Sequence, residues 1–144
     1  MPTRNASARW EGGLKAGQGS FEGESGVIKG RYDFHTRFEE EKGTNPEELL
    51  AAAEAACFSM ALSGALEAAG TPAERVETRA ACTVRPQPGG GFAVTTMALT
   101  VRARVPGVDA ETFRKTAEAT KEGCPISKVM KGNVEITLDA QLES

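Results

Sequence analysis

Histidine is nearly missing from this chain: His35 stands alone in 144 residues. That excludes a histidine-rich metal centre and leaves a Ser-His-Asp or Cys-His mechanism only one candidate base. Cysteine is scarce too. The three present, Cys57, Cys82 and Cys124, are odd in number and make no CxxC pair, which argues against a disulfide-framework secreted fold and against a paired-ligand zinc site. There is no membrane-length apolar run. The longest, Leu49 to Leu62, is 14 residues, contains Glu54 and Ser59, and is too short to cross a bilayer. Met1 to Trp10 holds two arginines and no apolar stretch, so no signal peptide is read and the cytoplasm is the expected location. Neither sign of charge dominates. The 17 Lys plus Arg against 20 Asp plus Glu leave a net charge of -3, which is not the footprint of a nucleic-acid or anionic-membrane binder. The glycines at the start fall in no GxGxxG or P-loop spacing, so no nucleotide site is read.

What is present is a globular balance, 40% hydrophobic and 26% charged, in a length that suits one domain over residues 1–144. The first 30 residues read as short strands and turns around Trp10, Phe21 and Val27-Ile28. Tyr32, Phe34, Thr36 and Phe38 then alternate with Arg31, Asp33, His35 and Arg37, the pattern of a strand. Asn45 is a cap residue, Pro46 suits a first helical position, and Glu47 and Glu48 complement the N-terminal dipole. This predicts a helix to about Ala69, stopped by Gly70 and Pro72. From Leu49 to Leu62 it is apolar nearly all round, so it must be covered on all sides, and a second subunit would supply the cover. Val76 to Val84 and Met97 to Val105 alternate as strands around a Pro86–Gly91 loop. Asp109 caps a second helix to about Lys121, Cys124-Pro125 opens a short third, and Val134 to Leu142 is a last strand. The order gives an α+β domain with mostly antiparallel pairing and a long central buried helix.

Cys57, in mid-helix, reads either as a small core side chain or as a working thiol. Cys124, at a helix N-cap, is placed where unpaired N–H groups favour thiolate, or is a cap of middling quality. Cys82, beside Ala80 and Val84, reads as core. Two thiols 67 positions apart make no metal pattern, but they can divide labour. One attacks an oxidant and becomes a sulfenic acid, and the other condenses with it to a disulfide. A buried attacking thiol needs a cation, for which Arg37 is a candidate. An arginine aimed into a site needs a carboxylate to fix its fork, and Glu47 or Glu48 could serve. Taken singly, each of these charges is more often a solvated surface group.

The stretch FEEEKGTNPEELLAAAEAACFSMAL, Phe38 to Leu62, and the later EGCPISKVMKGNVEITL, Glu122 to Leu138, resemble the OsmC/Ohr family of thiol-dependent peroxidases. The likeness extends to the opening ARWEGGL and to PGVDAETF. Arg37 lies just upstream of NPEEL, as in the OsmC branch. The resemblance implies that Cys57 is the peroxidatic cysteine and Cys124 the resolving one. It implies that Arg37 stabilises the Cys57 thiolate and that Glu47 orients Arg37. It also implies an OsmC-like fold forming an intertwined homodimer with two sites at the subunit interface, organic hydroperoxides as substrates, and no bound cofactor. The reductant would be an external dithiol, with lipoyl groups on proteins best established for the Ohr branch. Cys82 has no counterpart in that site.

Glu47 and Cys57 are ten residues apart on one helix, about 15 Å along it and about 80° around it. That separation favours Glu47, and with it Arg37, serving the Cys57 of a partner subunit. Phe58, Met60, Ile126 and Met130 flank the two cysteines. Any that line the site would favour an alkyl hydroperoxide, at about 0.8 kcal/mol per buried methylene. The alternatives to a peroxidase are a non-enzymatic thiol redox sensor and a small apolar-ligand binding module with inert cysteines.

Overall fold

Short strands and tight turns organise the N-terminal segment in the computed structural model, which describes residues 1–143. Strands β1 (Ala6–Glu11), β2 (Gln18–Gly23) and β3 (Lys29–Tyr32) form an antiparallel sheet in that order. Trp10, Gly19 and Tyr32 share one line of register, and the two aromatic ring centroids come within 5.6 Å of each other. Gly19 is what allows it: a Cβ there would sit 2.7 Å from the Tyr32 ring and 2.8 Å from the Trp10 ring. This sheet belongs to the first of two compact units, which ends at Leu49. The second runs from Leu50 onward.

The expected strand through Phe38 ends at Tyr32. Residues Phe34–Phe38 form a short helix, α1, instead. Asp33 caps it: the Asp33 carboxylate accepts from the Thr36 N–H at 2.9 Å, and the Thr36 hydroxyl is 3.0 Å from the Asp33 N–H. This reciprocal capping box stabilises a helical turn that the alternating apolar pattern does not reveal. Arg37 therefore lies on a helix and not on a strand face.

Helix α2 (Pro46–Ala68) starts where the sequence places it. The Asn45 side chain accepts from the Glu48 N–H at 2.8 Å, satisfying one of the orphan donors of the first turn. At the other end Gly70 adopts φ +87°, Thr71 N–H bonds to Leu66 C=O and Gly70 N–H to Glu67 C=O, the hydrogen bonds of a Schellman stop. At 23 residues, with an 18-residue window of mean hydropathy 1.6, α2 is longer and more apolar than the 14-residue run suggests, and it meets the length and composition of a membrane span. Its place is nevertheless in a globular core. Phe58, Leu62 and Leu66, four apart on one stripe, are fully buried with Met97, Leu99 and Val101. The opposite stripe is exposed at Ala53, Ala56 and Gly64, and Met60 is 81% exposed.

The second unit's sheet is β4 (Arg75–Pro86), β5 (Phe92–Arg104) and β6 (Glu135–Leu142), in that order. β4 and β5 form the expected antiparallel hairpin, while β6 pairs with β5 in parallel, Leu99 opposite Leu138. A parallel neighbour needs a crossover connection. Helices α3 (Ala110–Gly123) and α4 (Pro125–Met130) supply it. Phe113 and Ala117 of α3 and Met130 of α4 complete the core. Asp109 caps α3 through the Thr112 N–H at 2.8 Å. Pro125 opens α4 at its first position, and Cys124, the shared cap residue with ψ 129°, divides it from α3.

Candidate active site

Each compact unit holds its own pair of sequence-selected residues. In the first unit Arg37 Nε donates to Glu47 Oε1 at 2.9 Å. Glu47 is 6% exposed, while Glu48 is exposed, so the geometry selects Glu47 as the partner of Arg37. The guanidinium also lies over the Phe38 ring, 4.9 Å from its centroid, a cation–π contact that narrows its orientations. Among the described residues, the Arg37 Nη groups donate no hydrogen bond and Glu47 Oε2 accepts none. The two outer nitrogens of the fork are thus oriented and unspent. Asn45 Nδ2 donates to Thr36 C=O at 2.9 Å and ties α1, which carries Arg37, to the start of α2.

In the second unit the sulfurs of Cys57 and Cys124 are 2.8 Å apart, without a disulfide between them. A disulfide requires about 2.05 Å, so closure asks for less than about 1 Å of movement. Cys57 is half-buried and Cys124 is 1% exposed. Burial pushes the Cys57 thiol above its ordinary value, and the hydrogen bond from Cys124 pushes the same way. The Ile126 N–H opposes them, and the charges of Cys124 and Glu54 add to the upward shift. Cys124 stands at the N-cap of α4, as the sequence places it, and makes no side-chain cap bond to that helix.

Two further side chains enter here that sequence reasoning passed over. Glu54 is completely buried, and its Oε1 accepts from Ser127 Oγ at 2.5 Å, while Oε2 accepts no hydrogen bond among the described residues. Ser127 is 2% exposed. The available signal was spacing: Glu54 lies three residues before Cys57 and Ser127 three after Cys124. Of the apolar neighbours of the cysteines, Phe58 and Met130 are core residues and Ile126 is half-buried against that core. Cys82 packs against the same core on β4, opposite Met97. A cleft lined by Ala61, Ala65, Lys115, Thr116, Ala119 and Cys124, among others, opens between α2 and α3. No group of three or more His, Cys, Asp or Glu side chains that could hold a metal ion is found among the described residues.

Comparison with known proteins gives a consistent pattern. Residues 39–139 match the family described as OsmC-like protein. The chain is 49% identical over 142 residues to Peroxiredoxin OsmC of Escherichia coli (strain K12), covering 98% of this chain and 97% of that one. It is 31% identical over 101 residues to the organic hydroperoxide resistance protein OhrB of Bacillus subtilis (strain 168), covering 70% and 72%. Among solved structures, an organic hydroperoxide resistance protein from Elizabethkingia anophelis with thiocyanate bound superposes with a TM-score of 0.76 at 26% identity, covering 99% of this chain and 98% of that one.

Proposed function

The chain belongs to the OsmC-like family, and from that premise we infer that it is a cysteine-based peroxidase reducing organic hydroperoxides to alcohols. The observation that carries the reading is the thiol pair, Cys57 and Cys124 at 2.8 Å on a helix and a helix cap that the core holds together. The Cys57 thiolate attacks the outer peroxide oxygen, the O–O bond breaks, and the alkoxide leaves and takes a proton as the alcohol. Cys57 is left as a sulfenic acid. The Cys124 sulfur displaces its hydroxyl as water, giving the disulfide. An external dithiol then returns both thiols through a mixed disulfide, and a lipoyl group on a protein is the dithiol we favour. The residues require no metal or organic cofactor for any of these steps.

Burial works against the thiolate that the first step needs, so a cation must offset it. Arg37, held by Glu47 with its outer nitrogens unspent, is that cation in our reading. It also binds the peroxide oxygen on which charge develops. The exposed stripe of α2 through Ala53, Ala56, Met60 and Gly64 supports a homodimer in which a second copy covers it, with the sites at the subunit interface. We place the protein in the cytoplasm, where dithiol reductants keep such a pair reduced.

The test is steady-state turnover of the reduced protein with a bulky organic hydroperoxide and with hydrogen peroxide, using dithiothreitol or dihydrolipoamide, and Cys57→Ser as control. Turnover of the organic substrate in preference to hydrogen peroxide, abolished in the variant, is expected. A disulfide that forms without turnover would point to a redox sensor instead. No disulfide at all would reduce the likeness to one of fold.

A further inference from the structure

The mechanism above leaves Glu54 without a task. A carboxyl with no exposure and one oxygen lacking a hydrogen bond is an expensive residue to keep inside a core. Among the described residues its one hydrogen-bond partner is Ser127 Oγ. That bond spans the same two helices as the thiol pair. Glu54 and Cys57 stand three residues apart on α2, about 60° apart around its axis and therefore on one face. Cys124 and Ser127 stand at the cap and third position of α4. The two helices are thus joined at two points, Cys57 to Cys124 and Glu54 to Ser127. One point fixes a separation, and two also fix the rotation of the short helix on the long one.

Resting on the peroxidase reading of the thiol pair, we propose that the Glu54–Ser127 hydrogen bond is a clip that holds α4 in register on α2, so that Cys124 stays poised to capture an oxidised Cys57. Glu54 and Ser127 are positioning residues, since they act through the placement of Cys124. The step they serve is the condensation. The Cys124 S–H and Cys57 S–O bonds break, the S–S bond forms, and the hydroxyl leaves with the thiol proton as water. Cys124 is oxidised to the disulfide level and the Cys57 sulfenic acid is reduced to it. The competing event is attack of a second hydroperoxide on the sulfenic acid, giving a sulfinic acid that the dithiol cannot restore. Holding the two sulfurs together raises the effective concentration of Cys124 and lets capture outrun that loss.

Two measurements test this on the full-length protein. The first is equilibrium of the Cys57–Cys124 disulfide against a glutathione redox buffer, which needs no peroxide chemistry. Ser127→Ala should lower the effective concentration of the pair about tenfold, the size expected when a buried acceptor loses its donor, while Glu54→Gln, which still accepts from Ser127, should stay within about threefold of the parent. The second is single-turnover oxidation by an organic hydroperoxide. Ser127→Ala should slow disulfide formation about tenfold but sulfenic acid formation by no more than about threefold, and should raise the yield of sulfinic acid at Cys57 seen by mass spectrometry. An unchanged redox equilibrium in Ser127→Ala overturns the clip, as does equal slowing of both steps, which would mark a general structural defect. A parent protein that fails to react with hydroperoxide while Ser127→Ala still loses effective concentration would sink the peroxidase reading and leave the clip standing.

Discussion

Cys57 sits where a thiol is hard to ionise. It is half-buried, it accepts a hydrogen bond from a second thiol, and its pKa is displaced upward. Since the thiolate is the nucleophile, the reactive fraction of an unassisted Cys57 grows about tenfold per pH unit until the raised pKa is passed. The role we assign to Arg37 makes that visible. Arg37→Gln should lower the rate of Cys57 oxidation at neutral pH by about 10²-fold. The residual rate should keep climbing beyond pH 9, whereas the parent levels off at lower pH. Stopped-flow oxidation across the pH range decides it, and a variant whose rate and pH profile match those of the parent would remove Arg37 from the site. The charge that matters here was legible as a residue type. Its setting was not. The alternation of residues 31–38 suggests a strand, yet Phe34 and Phe38 are also four apart and their rings meet at 5.2 Å on α1. In so short a stretch a cap decides between the two periods, and Asp33 with Thr36 is that cap.

At the scale of elements, caps and breakers explain what sequence could foresee. Asn45-Pro46 opens α2, Gly70 closes it, Asp109 opens α3, and Cys124-Pro125 divides α3 from α4. Each is a local instruction in backbone hydrogen bonding, so each is readable one residue at a time. The direction of β6 was not readable, because alternation assigns faces and says nothing of parallel or antiparallel. The Glu54–Ser127 contact was hidden for a similar reason: it joins residues 73 apart in the chain. Asn45 has a double role, and the two roles can be separated. Its Oδ1 caps α2 through Glu48 N–H and its Nδ2 holds Thr36 C=O on α1. Asn45→Ala loses both and should destabilise the protein by about 1 kcal/mol, read as a lower denaturant midpoint at unchanged slope. Asn45→Asp keeps the capping oxygen and loses the donor. It should hold nearly full stability but show reduced peroxide turnover, because the helix that carries Arg37 is released. Full turnover in Asn45→Asp would mean that Glu47 alone positions the arginine.

The whole molecule raises the question of what faces the outer side of α2. Its inner stripe is core, and its outer stripe, small residues around Met60, is uncovered in one chain. The expected all-round burial is met by only one stripe here, and the second copy we propose would cover the other. The same proposal bears on the arginine. The Arg37–Glu47 pair belongs to the first unit and the thiol pair to the second, and ten helical residues, about 15 Å, separate Glu47 from Cys57. If the cation that offsets Cys57's burial comes from the partner subunit, each site is built from two chains. Subunit exchange tests this directly. Cys57→Ser and Glu47→Ala proteins are mixed and allowed to re-equilibrate. In the crossed arrangement, every heterodimer joins the intact Cys57 of one chain to the intact Glu47 of the other and gathers both lesions in its second site. Activity should therefore rise above that of either parent, toward about a quarter of the unmutated level for equal, random mixing, because half of the dimers are mixed and each has one whole site. If both residues act within one chain, each site keeps one lesion whatever its neighbour, and mixing restores nothing.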